Sequence, residues 1–389
     1  MEQPDLTVAG QVKLNGKKFD DKNENQHLSG KLVTIVTLGV LAVLIITVAL
    51  FMSLYKPGVE EKPHFTTDEQ TETTTTSQDT QISTDPYSRK KGYYTFLIAG
   101  TDVISNNTDV LMMASLDTVK GEVNIVQIPR DTFVNKTVGG YQTVTRVNSV
   151  YAAAYNRSTA SGSRGATARH VAMKDLKARL EASLCVNLDY YALVSTSSFR
   201  KIVDAIGGVW FDVPEDMDYD DPEQGLSIHL KKGNQLLDGK AAEGLIRFRS
   251  GYAQGDLDRV SVRANFLRAM MKQVKENLTA DALATIVSEL LTSVDSSVSL
   301  TDAVYFAKQL YSVSSEKFTV TTLSGSSVMN PQTGAWSYYV INKNNALADI
   351  NKYLNVFSGD IAANLFDSKG FFTDSENEAH AYINNYYLS

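Results

Sequence analysis

The sequence predicts a layered α/β domain carried by a single membrane anchor, and three observations support this fold class. Short and nearly continuous apolar runs, punctuated by Gly, Asn and Asp, are typical of strands buried on both faces. Segments whose apolar residues recur at helical spacing separate these runs. Apolar residues make up 43% of the 389-residue chain, which is sufficient for a sizeable core. Strands mixed with helices in this way indicate helices layered on a sheet.

The first predicted element is a membrane anchor at Leu32–Tyr55. This run contains apolar and small residues with a few threonines and no charged residue, and it is long enough to cross a bilayer as a helix. No small-residue cleavage site follows, which favours a retained anchor over a cleaved signal peptide. The lysines are distributed unequally around it, with Lys17, Lys18, Lys22 and Lys31 before it and Lys56 and Lys62 after it. The positive-inside rule therefore predicts a cytoplasmic N-terminus and an external C-terminal part.

The composition of the chain predicts five segments. Residues 1–31 are polar and without period, as in a disordered cytoplasmic tail, and the anchor occupies 32–55. Residues 56–90 are rich in Thr and Ser and are expected to form a solvated linker. The extracytoplasmic domain is expected at 91–358, and 359–389 is a C-terminal extension to which no fold is assigned.

The domain's elements follow from local pattern. Gly207-Gly208 is expected to cap one helix and Pro214 to end the strand that follows. The predicted strands are Tyr94–Ala99, Val110–Leu116, Val123–Ile128, Tyr190–Ser195, Val209–Val213, Phe318–Leu323 and Ser337–Ile341. The predicted helices are Val147–Tyr155, Ala166–Leu184, Thr196–Ile206, Leu257–Val274, Ala280–Val294, Thr301–Tyr311 and Asn345–Val356.

Two aspartates border the first two strands. Asp102 ends the first strand and Asp109 opens the second after a short polar loop. Two carboxylates at adjacent strand ends can share a hard cation such as Mg²⁺, which takes oxygen ligands and bridges to phosphates. The alternative is that each aspartate merely caps a turn.

The third strand ends in Ile128-Pro129-Arg130-Asp131-Thr132. Because ligands of α/β sheets collect outside the carboxyl ends of strands, Arg130 and Asp131 are expected beside Asp102 and Asp109. The alternative is an ion pair in a surface loop.

A basic stretch precedes and enters the helix predicted at Leu257. Arg247 and Arg249 are two residues apart and would lie on one side of an extended backbone, whereas Arg259 and Arg263 lie four apart on one helical face. Asp256 stands where the helix N-cap should be. Helix N-termini and arginine forks both bind phosphate esters, so the stretch is a candidate phosphate site. The alternative is a solvated basic turn.

Composition excludes several other classes of protein. A net charge of −7 and a pI near 5.4 argue against a general nucleic-acid binder. A single cysteine, Cys185, forms neither an intrachain disulfide nor a cysteine metal site, and its apolar setting predicts a buried small residue. The sequence has no P-loop, Gly-x-Ser-x-Gly elbow or His-Glu-x-x-His motif.

Taken together, these residues resemble the LytR-CpsA-Psr family of bacterial cell-wall proteins over about residues 92–275. The resemblance rests on the order and spacing of short motifs after a single anchor. These are Gly100-Thr101-Asp102, Thr108-Asp109, the Pro129–Thr132 motif, Val147–Ala152, Ile206–Val209, Leu237–Ala241, Arg247-Phe248-Arg249, Gly255-Asp256 and Arg259.

The resemblance implies a central mixed β-sheet flanked by helices and an activity on the outer membrane face. The activity is transfer of a glycopolymer, of the teichoic acid or capsular polysaccharide class, from a polyprenyl pyrophosphate carrier to peptidoglycan. It implies Mg²⁺ or Mn²⁺ on Asp102 and Asp109, an apolar tunnel for the polyprenyl tail that Phe266–Val274 would help to line, and a place in the cell membrane of a Gram-positive bacterium. The pyrophosphate would be held by Arg130, Arg247, Arg249, Arg259 and Arg263, with Arg130, Asp131 and Asp256 catalytic.

The chain departs from the family pattern at three positions. Asn107 stands where the family usually has Arg, Arg263 where it has Gln, and Leu245 where it has Tyr. Two functions therefore remain open: a transferase, or an anchored protein that binds polyprenyl phosphate or an anionic wall polymer without turnover. A membrane-anchored transcription regulator is disfavoured, because the short tail has no helix-turn-helix.

Overall fold

A computed structural model describes residues 55–59, 87–101, 107–134, 145–222, 225–248, 256–329, 336–366 and 372–373, together with Thr47. For 145, 256–259, 336–337 and 372–373 it describes the backbone element alone. Lys56–Ser389 forms one compact unit, separate from Met1–Tyr55, and the fold below belongs to it. The predicted tail and nearly all of the predicted anchor and linker lie outside the described residues. Within the described ranges, no helix is both long and apolar enough to span a bilayer.

The described strands and helices alternate along the chain. The strands are β1 Tyr93–Thr101, β2 Thr108–Asp117, β3 Glu122–Gln127, β4 Phe133–Val134, β5 Thr145–Arg146, β6 Tyr190–Ser195, β7 Val209–Val213, β8 Met217–Asp221, β9 Leu226–Leu230, β10 Gly233–Leu237, β11 Asp295–Ser296, β12 Phe318–Thr322, β13 Gly325–Met329, β14 Trp336–Asn342 and β15 Phe372–Thr373. The helices are α1 Asn148–Ala160, α2 Gly165–Leu184, α3 Thr196–Ala205, α4 Gly239–Arg247, α5 Asp256–Asn277, α6 Ala280–Leu290, α7 Leu300–Ser312 and α8 Lys343–Tyr353.

A mixed sheet of order β11-β6-β1-β2-β3-β12 forms the centre of the domain. Strand β2 is antiparallel to both β1 and β3, whereas β6 runs parallel to β1 and β12 parallel to β3. The carboxyl ends of β1, β3 and β6 therefore meet the start of β2 at one edge. This confirms the predicted mixed α/β fold, and it brings the motifs that end β1 and β3 and the one that opens β2 to the same place.

The two faces of this sheet are covered differently. Alternate residues of β1 point to opposite sides, so Leu97 and Ala99 enter a core packed by α1, α2 and α8. Phe96 and Ile98 instead face a cavity bounded by α3–α7. Both sheet faces are therefore apolar, but only the face that carries Leu97 and Ala99 is fully covered by protein.

Segments before β1 and after α8 are tied to the sheet and its core by buried contacts. Arg89 Nη2 bonds Asp189 Oδ2 at 2.6 Å, with both side chains at most 4% exposed, and the amide of Thr95 donates to the same oxygen at 2.9 Å. At the other end Ile361 and Phe366 lie in the main core, so chain beyond residue 358 contributes to it.

Most predicted elements are present, and the differences are informative. Strands Tyr190–Ser195 and Val209–Val213 have the predicted bounds. Cys185 is buried as predicted, in a left-handed conformation (φ 49°) at the end of α2. The expectation of extended backbone at Arg247 is wrong, because Arg247 is the last residue of α4. Asp238 is the N-cap of this helix, and its side chain accepts from the amide of Ala241 at 2.8 Å.

Candidate active site

The polar residues at the sheet edge are held there by a compact turn after β3. The Thr132 side chain and amide both donate to the carbonyl of Pro129, at 2.6 and 3.0 Å, which closes the turn and directs Arg130 back towards β2. The start of α1 fixes the same corner, because the amide of Asn148 donates to the Arg130 carbonyl at 3.2 Å and its carbonyl accepts from Thr108 Oγ1 at 3.3 Å. Three motifs that are distant in sequence thus meet at one point.

Arg130 and Asp109 form an ion pair at this edge. Arg130 Nη1 lies 2.9 Å from Asp109 Oδ1, and the two side chains are 20% and 29% exposed. Asp131 lies on the other side of Arg130, with its Oδ2 at 3.6 Å from Arg130 Nε and its Oδ1 at 3.4 Å from Arg146 Nε. Asp109 borders the cavity, whereas Asp131 contacts Arg130 and Arg146 and orients them.

Helix α4 carries a second arginine to the same region. Gly239 allows α4 to approach α3 closely, since a Cβ there would lie 2.4 Å from the Arg200 carbonyl oxygen. This contact sets Glu243 of α4 against Arg200 of α3, and Glu243 Oε1 also accepts from Arg247 Nη1 at 2.9 Å. The buried carboxylate thus holds Arg247 at the cavity wall.

The ionisation of Glu243 reflects this arrangement. Burial alone would raise its pKa, but the hydrogen bonds from Arg200 and Arg247 together outweigh burial, and the pKa lies below its ordinary value of 4.5. Glu243 is therefore a carboxylate at neutral pH, and Arg247 is held by a full charge.

Helix α5 begins at Asp256 and runs across the sheet edge. Gln127 at the end of β3 donates to the Val260 carbonyl at 3.1 Å, which fixes the first turns of the helix near Arg130. One turn later Arg263 is only 8% exposed. Its Nε has no hydrogen-bond partner, and no carboxylate of the described residues forms a direct ion pair with it.

Arg263 is a cation in an unfavourable setting. Its pKa is lowered to about 10, mainly by burial; the charge of Asp109 raises the pKa and that of Arg130 lowers it. The group nevertheless stays protonated at physiological pH, so a fixed positive charge that no described carboxylate contacts directly borders the cavity.

The cavity extends from these charges into an apolar interior of about 600 Å³. Asp109, Glu243, Arg247 and Arg263 line its polar end. From there Leu267, Met270, Met271 and Val274 continue along one face of α5, and the sheet supplies the opposite wall with Ile98, Val110, Met112, Ala114 and Ile125. A volume of this size lies within the usual range for ligand sites, about 300–1,000 Å³. Its form suits a long apolar molecule with an anionic end.

A comparison with known proteins agrees with this geometry. The model of the LytR_cpsA_psr family matches residues 48–354. The chain belongs to the LytR_cpsA_psr family.

Relatives within this family are remote. A Bacillus subtilis protein named polyisoprenyl-teichoic acid–peptidoglycan teichoic acid transferase TagV is 24% identical over 56% of this chain and 52% of its own length. The regulatory protein MsrR of Staphylococcus aureus is 26% identical over 48% of this chain and 50% of its own. An uncharacterized Staphylococcus aureus protein matches over 71% of this chain and 61% of its own. The matched region thus spans about half to three fifths of these relatives.

Solved structures share the fold. The crystal structure of Bacillus subtilis TagV superposes with a TM-score of 0.52 at 20% identity, covering 66% of this chain and 94% of that one. A Streptococcus agalactiae protein, gbs0355, gives 0.52 at 17% identity, covering 67% and 86%.

The structure describes some of the site residues predicted from the sequence and not others. Asp102 and Arg249 lie outside the described residues, and only the helical positions of Asp256 and Arg259 are described. The structure brings Arg130, Asp131 and Asp109 together and places Arg247 and Arg263 with Asp109 on one cavity. The predicted tunnel helix needs one correction. Phe266 does not border the cavity, because its ring is fully buried in a separate core cluster against Phe211 of β7.

Sequence reasoning missed Glu243 and Arg200. The spacing of Glu243 and Arg247, four residues apart, would have indicated a helical pair, but nothing local connects either residue with Arg200. A metal is compatible with the donors present, because Mg²⁺ is usually held by one or two carboxylates and substrate phosphates, and Asp109 supplies one carboxylate. Within the described residues, no group of three or more His, Cys, Asp or Glu could hold a metal by itself.

Proposed function

We propose that this protein is a membrane-anchored phosphotransferase that transfers a glycopolymer from a polyprenyl pyrophosphate carrier to peptidoglycan. The observation that carries the proposal is the apolar cavity of about 600 Å³ with Asp109, Arg247 and Arg263 at one end. A polyprenyl pyrophosphate has the matching form, an apolar tail with a dianionic or more highly charged head. Family membership and the activity named for the relative TagV, a teichoic acid transferase, support the same class of reaction.

The arginines would bind the carrier's head group. Arg247 is held by Glu243 and Arg130 by Asp109 and Asp131, so both guanidinium groups are oriented before the substrate arrives. Preorganised donors of this kind stabilise the charge that develops on phosphoryl oxygens. Arg249 and Arg259 are proposed to complete the clamp.

The reaction would be a displacement at phosphorus. The oxygen of a peptidoglycan hydroxyl forms a bond to the phosphorus that carries the glycopolymer, while the bond from that phosphorus to the bridging oxygen breaks. The electron pair leaves with polyprenyl phosphate, and the hydroxyl proton passes to a base, for which Asp256 is proposed. The product is a phosphodiester between glycopolymer and peptidoglycan.

A divalent cation, Mg²⁺ or Mn²⁺, is proposed for Asp109 together with Asp102. When bound, it would neutralise charge on the phosphate oxygens during transfer. The chain's own contribution is Asp109, which borders the cavity and is oriented by Arg130.

The proposed site of action is the outer face of the cell membrane, with Leu32–Tyr55 as the anchor and the N-terminus in the cytoplasm. The lysine asymmetry around this run supports that orientation. The apolar cavity supports a location at a membrane surface, because a lipid-linked substrate is available only there.

Two measurements on the detergent-extracted full chain test the proposal. Mass spectrometry of co-purified lipid should detect a polyprenyl phosphate or pyrophosphate, and incubation with lipid-linked glycopolymer and peptidoglycan should yield a covalent product. Lipid without turnover, under conditions that support a known transferase, would favour the non-catalytic binder. Absence of both polyprenyl lipid and covalent product would contradict the transferase and leave only a binder of an anionic wall polymer.

A further inference from the structure

The cations at the polar end of the cavity are not equivalent. Arg130 Nη1 lies 2.9 Å from Asp109 Oδ1, and Arg247 Nη1 lies 2.9 Å from Glu243 Oε1. Each of these arginines therefore already has a carboxylate in direct contact. Within the described residues Arg263 has no such contact, although it is 92% buried by the surrounding protein (8% exposed) and borders the same cavity.

We propose that Arg263 is a permanent cationic anchor for the phosphate of the lipid head group, so that this protein binds its lipid without a divalent metal and needs the metal only for transfer. The proposal rests on the proposed function and adds to it a division between binding and turnover.

The first argument is the cost of burying a cation. A buried guanidinium without a counter-charge is unfavourable, and a neutral side chain of similar length would avoid that cost. The depressed pKa of Arg263 reflects the same penalty. A side chain that destabilises the empty protein becomes favourable once an anion occupies the cavity beside it.

The second argument is the position of Arg263 on α5. It stands at the polar end of the face formed by Leu267, Met270 and Val274, at the boundary between charged and apolar lining. A lipid tail that follows this face brings its phosphate to the guanidinium. The planar group can donate two parallel hydrogen bonds to phosphate oxygens, as an arginine fork does.

The third argument is the charge balance around Asp109. Arg130 contacts this carboxylate directly, and Arg263 attracts it at longer range. Asp131 contacts Arg130 and Arg146, so these two arginines are balanced by Asp109 and Asp131. Among the described residues of this edge, Arg263 adds one further positive charge, which favours an anionic ligand. A divalent cation would provide similar attraction for the phosphate, but the fixed guanidinium provides it at any metal concentration.

The test measures the affinity of the full chain in detergent for farnesyl phosphate, in excess EDTA and in millimolar Mg²⁺. The wild-type affinity is expected to differ by less than about threefold between the two conditions. Arg263→Gln is expected to lose about ten- to hundredfold in EDTA, the usual effect of removing charge-assisted hydrogen bonds, and to regain about tenfold in Mg²⁺. Arg263→Lys should retain part of the metal-independent affinity, because it keeps the charge without the fork.

Two controls separate this role from a structural one. Arg268 lies on the same helix, is exposed, and donates to the Val320 carbonyl at 2.8 Å without bordering the cavity, so Arg268→Gln should leave affinity unchanged in both conditions. Without ligand, Arg263→Gln should melt at the same temperature as wild type or higher, because it relieves a buried charge. A lower Tm together with unchanged affinity would mean that Arg263 only supports the fold.

The outcomes distinguish this inference from the function on which it rests. Wild-type binding that falls tenfold or more in EDTA would overturn the inference and leave the transferase intact. The same holds if Arg263→Gln binds as wild type does in EDTA. Wild-type protein that binds farnesyl phosphate in neither condition, or no better than farnesol, would overturn the proposed function and the inference together.

Discussion

The two faces of the central sheet carry similar apolar residues, but one face is packed against helices and the other borders a cavity. On one face Leu97, Met113 and Val126 are fully covered by α1, α2 and α8. On the other, Ile98 and Met112 border an apolar cavity that the helices α3–α7 leave open. One sheet therefore supports both a close-packed core and a ligand site.

This difference teaches that strand pattern alone does not decide which face becomes a site. Protein interiors are normally packed to the density of organic crystals, so an apolar cavity of this size is an exception that lowers stability. The cavity persists because the helices around it pack on one another and on the sheet's margins, as α6 does against α7. The stability lost on this face is recovered when a ligand fills it.

The sharpest test of the comparison uses two neighbouring methionines of β2. Met113 is 0% exposed in the filled core, so Met113→Ala should destabilise the protein by about 2–5 kcal/mol through lost contacts and a new void. Met112 borders the cavity, and Met112→Ala should cost only about 1–2 kcal/mol, since part of its surface lacks protein contacts. Denaturant unfolding of the ligand-free chain measures both. Equal losses would mean that the two faces are packed alike.

The second prediction concerns the polar end of the cavity, on the sheet face that borders it. Arg247→Ala should weaken binding of a short polyprenyl pyrophosphate by about ten- to hundredfold, because a charge-assisted hydrogen bond of about 1.5–3 kcal/mol is lost. Arg247→Lys should restore it only in part, since the fork geometry is missing. Isothermal titration gives the affinities. If alanine at Arg268 weakens binding as much as alanine at Arg247, the contribution is a diffuse positive field and not a site.

The third prediction fills the cavity. Ala192 of β6 lines it, so Ala192→Trp should leave the melting temperature nearly unchanged while reducing lipid affinity about tenfold, or about 1.4 kcal/mol. The adjacent Leu193 belongs to the filled core, and Leu193→Trp should destabilise by about 1–3 kcal/mol through overpacking. Thermal melts and lipid titration of both variants check this. A stable Ala192→Trp variant with wild-type affinity would show that the lipid tail lies elsewhere.

The smallest expected effect concerns pH. The pKa of Glu243 is lowered in the folded state, so its contribution to stability is complete above the ordinary glutamate pKa of 4.5 and is lost as pH falls through the lower folded value. Glu243→Gln should therefore cost about 1 kcal/mol near neutral pH and flatten the acid side of the stability profile. Unfolding measured from pH 3 to 7, with wild type as reference, tests the sign; a steeper acid limb in the variant would contradict it.

Local chemistry was sufficient to predict much of the sheet edge. The apolar run Tyr190–Ser195 and the Pro129 turn are strong local signals, and they led to Arg130 beside Asp109. Helix α4 was missed because Gly239 and Gly244 lower helix propensity, and it forms because Asp238 caps it and Glu243 pairs with Arg247. The strand Leu226–Leu230 shows a period-two pattern of burial that its sequence alternation anticipates, although it was not predicted.

Other features depend on tertiary contacts that no local pattern encodes. Spacing put Arg259 and Arg263 four residues apart in one predicted helix, and both positions are helical. Arginine is usually exposed, so the burial of Arg263 could not be anticipated. The same is true of Glu243, whose contact with Arg200 joins residues 43 positions apart. The cavity on one face of the sheet results from the arrangement of the five helices α3–α7. The alternation of side chains along the strands does not determine that arrangement.

The length of the apolar face of α5 limits how much of a lipid tail this helix can contact. From Arg263 to Val274 the helix rises through eleven residues, or roughly 16 Å. If the phosphate of a lipid binds Arg263, this helix face would contact only the part of the tail that lies between Arg263 and Val274. Any part of the tail beyond Val274 would contribute little to binding. The affinity would then depend on the first isoprene units of the tail and not on the rest. Carriers whose tails are longer than this distance would therefore bind with similar affinity.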